Sequence, residues 1–391
     1  MPSLNDVFIV SQARTPIASF RGTLSALSAP QLGSIAIKAA LKRANITGED
    51  VDEVFFGNAL QAGIGQAPAR QAAMGAGILH HTDCTTIQKI CSSGLKAITI
   101  SAQSIQTGTN DVVVSGGMES VSNVPYYLYR GDTPFGGITL VDGIVKDGVT
   151  DVYLQMSGVL RTEHLVKSYD LSREALDEHA INSYKRSLNS VKSGLLDREI
   201  VPVIVSGTKG NADVTVSEDE ELKRVDFAKI KTLEPVAENG TITAANTGAL
   251  SDGAAATILM SEKALKRFQV APIARIVEVA DVGVPPIEFG KAPALAIQQL
   301  LEKSGINKSQ ISHWEINEPF SAVALANIKH LDLDPEKVNP NGGAVSLGHP
   351  LAMSGARILN HLAINLKTDE YGVAAICNGG GGSSAMLIQG M

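Results

Sequence analysis

A chain of 391 residues, 44% hydrophobic and 19% charged, is too long for one ordinary core and too apolar for extended disorder, so two or three subdomains are expected. Its net charge of -7 argues against nucleic acid or an anionic membrane surface as the main partner and leaves a small molecule. The three cysteines, Cys84, Cys91 and Cys377, come without a secretory signal or an apolar run of about 18 residues, so free thiols in a reducing compartment are expected and a membrane span is not.

In chain order, Asp6–Ser11 reads as a strand that leaves no room before it for an Arg-rich transit segment. The expectation is a cytoplasmic protein, or a mitochondrial matrix protein given in mature form. Val7–Ala13 is the first strand, and Ala29–Ala44 a helix with Leu32, Ile35, Ala36 and Ala39 on one face. Glu53–Gly57 is a strand ending in Asn58, Cys91–Gln106 a helix, and Asp111–Ser115 a strand ending in Gly116-Gly117-Met118-Glu119. The same order returns near the C-terminus. Ala274–Val279 is a strand, Pro293–Lys303 a helix with proline in its first turn, and Trp314–Ile316 a strand ending in Asn317. A helix from about Ala352 to Leu366 then precedes the strand Gly372–Ile376, which ends in Cys377 and a glycine run. Ser93-Gly94-Leu95-Lys96 and Ser354-Gly355-Ala356-Arg357 hold matching places, so one α/β unit is used twice, with mixed sheets covered by helices.

Between the copies, Ser120 to Gly240 has a different texture, with Tyr126, Tyr127 and Tyr129 and the acidic stretch Ser217–Arg224. It reads as an inserted loop domain over the strand ends, and the acidic stretch as a solvated turn.

Three glycine-embedded segments carry the chemistry. Cys91 opens a helix, where unpaired N–H groups and the macrodipole favour a thiolate. His349, between Gly348 and Pro350, is an imidazole fixed at a cavity wall and able to take the Cys91 proton. Cys377 supplies a second thiol, and the glycines from Gly379 onward free backbone N–H groups to hold an oxyanion. A phosphate loop is the weaker reading there, since no Lys-Ser/Thr follows and the order of elements is wrong. Asn317 offers an amide for a water or carbonyl, and Glu318 is placed to orient that water or His349. His80-His81 lacks cysteines at metal spacing and reads as surface, so no metal site is assigned.

Five ordered stretches resemble thiolase signatures: Cys84 through Gly94, Gly116 through Ser120, Asn317 through Phe320, Asn341 through Arg357, and Cys377 through Gly382. Leu222–Phe227 and Ser384–Gln389 are most similar to the mitochondrial short-chain acetoacetyl-CoA thiolases. The resemblance implies a duplicated five-layered αβαβα sandwich: residues 1–119 as N-terminal half, 120–240 as loop domain, 241–271 as return segment and 272–391 as C-terminal half. It implies acetyl-CoA C-acetyltransferase activity through an acetylated Cys91, with coenzyme A as co-substrate and a homodimer or homotetramer as the assembly. His349 and an Asn317-held water would form one oxyanion hole, the amides of Cys91 and Gly379 the other. Ser157, Arg224, Gly248, Pro319 and Phe320 fall at positions for substrate or CoA.

The chain also departs from the family pattern. Ser157-Gly158 stands for a His-Met pair, Gly248 for a serine, Pro235 for a phenylalanine, Pro319 for an alanine, and Leu222 for a tyrosine linked to potassium. Smaller side chains at Ser157 and Gly248 are expected to leave room in the tunnel. Two rivals stay open on these residues, a decarboxylating ketoacyl synthase and a weakly catalytic acyl- or CoA-binding relative.

Overall fold

A computed structural model describes residues 4–131, 135–207 and 212–391. The first half contributes β1 (Val7–Arg14), α1 (Ala29–Arg43), β2 (Glu53–Gly57), β3 (Asp83–Ile87), α2 (Ser93–Gln106) and β4 (Val112–Ser120). The insert carries α3 (Gly158–Ser168) and α4 (Arg173–Lys192), after which β5 (Ser251–Ser261) returns to the first half. The second half holds β6 (Ala274–Gly283), α5 (Ala292–Ser304), β7 (Ile311–Ile316), α6 (Ser321–Leu331), α7 (Leu351–Asn365), β8 (Tyr371–Asn378) and β9 (Gly382–Gly390).

Among the described residues the main strands run in the order β7-β8-β9-β6-β1-β5-β4-β2-β3, and the short strand Ala18–Ser19 pairs with β5 to make ten. The halves join edge to edge, with Val7, Phe8 and Ile9 of β1 opposite Ile276, Arg275 and Ala274 of β6. Strand pleating then sorts side chains into layers. Phe8, Val10, Val112 and Val114 pack outward against α1, while Val7, Ile9 and Val113 face a central cluster built with α2 and α7. In the second half Ala374, Ile376, Met386 and Ile388 enter that central cluster, and Val373, Ala375, Ala385 and Leu387 face outward toward α5. The result is helix, sheet, helix pair, sheet, helix: the five layers expected.

The matched Ser-Gly pairs explain the central layer. A Cβ on Gly94 would lie 2.5 Å from Ala352 O, and one on Gly355 would lie 2.8 Å from Leu95 Cβ. Glycine at both places lets α2 and α7 cross with their backbones nearly touching.

Several expectations need correction. In α1 the buried stripe is Leu32, Ala36, Ile37 and Ala40, while Ile35 and Ala39 are only half-buried at its flanks. β4 does not stop at Ser115 but continues through Gly116, whose φ of 145° and absent Cβ accommodate Ala255 O of the neighbouring strand. The helix before Thr107 starts at Ser93, so Cys91 precedes it. β3, β9 and the short helix Pro68–Gly75 were not anticipated.

The acidic stretch is not a solvated turn. Asp219 is buried and accepts from Arg14 Nη1 and Nη2 at 2.7 and 2.9 Å, and from Ile17 N at 2.8 Å. Arg14 Nε also donates to Glu199 at 2.9 Å, and Glu199 meets His361 Nδ1 at 3.0 Å. Two insert carboxylates therefore neutralise a guanidinium of β1, and the insert is fastened to the sheet by a buried charge network.

Candidate active site

Cys91 lies in a tight loop before α2. Ile90 adopts a φ of 47°, a left-handed backbone that a β-branched residue rarely takes and that costs about 1–3 kcal/mol. Ser93 holds it there, donating to Ile90 O from its backbone N–H at 3.1 Å and its hydroxyl at 2.6 Å, and accepting from Lys89 N at 2.8 Å. The Ser92 hydroxyl lies 3.1 Å from both Ile376 O and Asn378 Oδ1. The nucleophile loop is thus tied to β8, the strand that carries Cys377.

His349 follows Gly348, whose φ of 101° needs glycine and whose Cβ would lie 2.4 Å from Ser251 Oγ. The His349 N–H donates to Ala249 O at 2.8 Å, docking this loop on the segment that leads into β5. The ring's Nδ1 is 2.6 Å from Ser354 Oγ, and that hydroxyl is 3.1 Å from Pro350 O. If the single hydroxyl proton goes to Pro350 O, Nδ1–H donates to Ser354 and the Nε2 lone pair is left free. Nε2 is buried and without a partner among the described residues.

These groups line one cavity of about 270 Å³, with Cys91, His349, Cys377 and Gly379 in its wall beside Ser157, Gly248, Pro319 and Phe320. A wider vestibule of about 890 Å³ adjoins it and shares Ile90, Gly148, Arg161 and Gly379. The glycine run turns at Gly380 and Gly381, with φ of 85° and 89°, so that β8 passes into β9. Gly379 N and Cys91 N both point toward the Cys91 sulfur and favour its anion.

Burial sets the resting charge state. It pushes the Cys91 thiol up to about 12, and the nearby Glu119 carboxylate adds to the rise. The Cys377 thiol is also raised, by burial first and then by Cys91. His349 is lowered to about 4, by burial and then by the charge of Arg357. The site therefore rests as neutral thiol and neutral imidazole. Burial thus outweighs the helix N-terminus that alone would favour a thiolate.

Asn317 is 1% exposed, and neither its Oδ1 nor its Nδ2 has a partner among the described residues, which leaves the amide available to a water or carbonyl two residues from Pro319 of the cavity wall. Glu318 does not orient His349. It is taken up by His179 Nε2 at 3.1 Å, Ser183 Oγ at 2.8 Å and Asn339 Nδ2 at 2.7 Å, so it braces the loop that leads to His349 instead. Arg224 is not brought to the cysteines; it borders a separate cleft of about 260 Å³ with Tyr184 and Asp226 and pairs with Glu220. Gly248 leaves little room, because a Cβ there would lie 3.0 Å from the carbonyl oxygens of Ala344 and Glu318. Ser157 accepts from Leu160 N at 3.3 Å and so caps α3 while lining the cavity.

Two functional groups escaped the sequence reading. Glu119 accepts from Asn58 Nδ2, Leu60 N and Ala352 N at 2.8, 3.1 and 3.1 Å, holding the first turn of α7 against the end of β4. Arg161 of α3 lines both cavity and vestibule while only 4% exposed. Its position was readable, since Arg161 and Leu165, and Thr162 and Val166, are i,i+4 pairs on the buried face of α3.

Comparison with known proteins agrees with this fold. Residues 7–263 match the family model of the thiolase N-terminal domain, and residues 270–390 that of the thiolase C-terminal domain. The mitochondrial acetyl-CoA acetyltransferase of Bos taurus is 56% identical over 390 residues, covering 99% of this chain and 92% of the relative. Among solved structures, the Acat5 thiolase from Ascaris suum in complex with coenzyme A superimposes with a TM-score of 0.95 at 48% identity, covering 99% of this chain and 100% of that one. The Bacillus anthracis acetyl-CoA acetyltransferase does so with a TM-score of 0.96 at 36% identity, each chain covered completely.

Proposed function

As the chain belongs to the thiolase family, we propose that it is an acetyl-CoA C-acetyltransferase that reversibly cleaves acetoacetyl-CoA with coenzyme A into two acetyl-CoA. The observation that carries the reading is the convergence of Cys91, His349, Cys377 and Gly379 on one cavity. Cys91 gives its proton to His349 Nε2 as its sulfur adds to the C3 carbonyl. The C2–C3 bond then breaks with its electron pair going to C2, the Cys377 thiol protonates that carbon, and acetyl-CoA leaves. Coenzyme A gives its thiol proton to the Cys377 thiolate, its sulfur takes the acetyl group, and Cys91 recovers its proton from His349. Condensation is the reverse. The Cys91 and Gly379 amides serve one oxyanion, and His349 with a water held by Asn317 serves the other.

In this reading Ser157, Gly248, Pro319 and Phe320 border the acyl and pantetheine path, and Arg224 meets the nucleotide end of CoA. Glu318 acts through the loop it braces. The Leu222 side chain, packed in the central core, offers no oxygen to potassium, and no step is routed through that ion. A second thiol rather than a second histidine stands with Cys91, which favours thiolysis over decarboxylation. We divide the chain after residues 119, 240 and 271. The word mitochondrial in the bovine relative's name supports the mitochondrial alternative for the compartment. Exposed Tyr126, Leu128, Tyr129, Ile138 and Leu140 in the insert support a homodimer or homotetramer, which light scattering tests; a monomer at micromolar concentration counts against it.

The deciding experiment is mass spectrometry after incubation with acetyl-CoA. One acetyl group on Cys91 is expected, and acetoacetyl-CoA cleavage surviving in Cys91→Ala overturns the assignment.

A further inference from the structure

Arg161 is a buried cation in want of a ligand. Its guanidinium forms no hydrogen bond among the described residues, and Nε and Nη1 are buried without partners. Its plane rests on the Phe289 ring, with Cζ 4.7 Å from the centroid, and its one counter-charge, Asp151 Oδ2, stands 3.7 Å from Nη1. That separation is too long for a hydrogen bond, and Asp151 spends its other oxygen on Tyr153 N and Leu154 N at 3.0 and 2.8 Å. A buried guanidinium with idle donors is costly, and its planar fork matches a carboxylate in bidentate fashion.

The surroundings indicate where that carboxylate comes from. Arg161 borders the cavity that holds Cys91 and Cys377, and its charge acts on both sulfurs, which places it at the acyl end of the substrate.

We propose that Arg161 is a specificity-determining residue that receives a carboxylate at the far end of the acyl chain, so that the enzyme accepts short 3-oxoacyl-CoAs ending in a carboxylate. This rests on the thiolase reading above and extends its substrate range. With 3-oxoadipyl-CoA the bonds change as before: Cys91 sulfur adds to C3, the C2–C3 pair passes to C2, and Cys377 protonates C2 to release acetyl-CoA. Coenzyme A then removes the succinyl group from Cys91 as succinyl-CoA. The distal carboxylate stays ionised on Arg161 throughout and takes no part in bond making.

The test compares 3-oxoadipyl-CoA with 3-oxohexanoyl-CoA, which carries a methyl where the first has a carboxylate. The native enzyme should prefer the carboxylate in kcat/KM by about tenfold or more, because a site built to hydrogen-bond a group rejects the analogue lacking it. Arg161→Met should invert that preference, and Arg161→Lys should keep part of it. A merely structural arginine would change both substrates alike and leave the ratio unmoved. A native preference for 3-oxohexanoyl-CoA, or an unchanged ratio in Arg161→Met, overturns the proposal; the native ratio decides alone if the variants do not fold. Native protein that cleaves acetoacetyl-CoA but not 3-oxoadipyl-CoA refutes this inference and leaves the thiolase reading standing. Failure with both substrates refutes the thiolase reading and this inference with it.

Discussion

Replacing Ser354 by alanine isolates the tautomer of His349. With the proton on Nδ1, the ring has one acceptor among the described residues, Ser354 Oγ at 2.6 Å, and is buried at 4% exposure. Without the hydroxyl, the productive tautomer leaves a buried donor unpaired, which costs about 1–3 kcal/mol. The ring either bears that cost or shifts its proton to Nε2, where it no longer accepts from Cys91. A ring that shifts must be shifted back before it can accept, and one that does not must develop its imidazolium charge without an acceptor on Nδ1, so kcat falls by up to about 5- to 150-fold. Thiolysis of acetoacetyl-CoA under saturating CoA measures the steady state, and single-turnover acetylation of Cys91 by acetyl-CoA isolates the step that needs the base. Ser354→Thr keeps the hydroxyl and should recover most of the loss. A kcat for Ser354→Ala within twofold of native, with native acetylation, would refute the role given to this contact.

Cys377→Ala should still be acetylated at Cys91 yet lose about 10²–10⁴ in condensation rate, the usual worth of a positioned proton-transfer group; equal loss of acylation would make Cys377 part of nucleophile activation instead. Asp219→Ala leaves Arg14 with Glu199 alone and should cost about 3–5 kcal/mol in urea unfolding, and an unchanged midpoint would refute the buried network as the fastening of the insert. His349 has its pKa lowered from 6.5 to about 4, so within that window the unfolded chain binds the extra proton and stability falls as pH falls. Glu199 and Glu318, each lowered to about 2, act in the same sense further down, their contribution being lost as pH drops from about 4.5 toward 2. His349→Asn should flatten the dependence of Tm on pH between 6.5 and 4, and an unaltered slope there would remove His349 from that account.

What the sequence discloses here depends on how local the physics is. Cys91, His349 and Cys377 stand out because each sits in glycine that only a tight turn or close approach explains, and the repeated Ser-Gly pairs announce the central helices in the same way. Asp219 could not be read from composition, since charged residues on a short turn ordinarily face water, and Arg161 is betrayed only by the i,i+4 pattern of its helix face. What buries them is a partner far along the chain: Arg14 for the first, Phe289 for the second, whose one nearby counter-charge is Asp151. The boundary of β4 was misread for a related reason. Gly116 and Gly117 look like a terminus, yet here glycine admits neighbouring backbone, Ala255 O beside Gly116 and Ala352 O beside Gly117.

The contact of Gly94 and Gly355 with the facing helix has a consequence for how such an enzyme can vary. Cys91 is mounted just ahead of one central helix and His349 just ahead of the other, so the gap between sulfur and imidazole is gauged by main chain resting on main chain rather than by side chains that can repack. Walls supplied by the insert, Ser157 and Arg161 among them, stand on separate framing. The acyl compartment can thus be recut residue by residue while the reacting atoms keep their spacing, and an added methyl group at either glycine would act as a wedge that disarms the catalyst without touching its pocket.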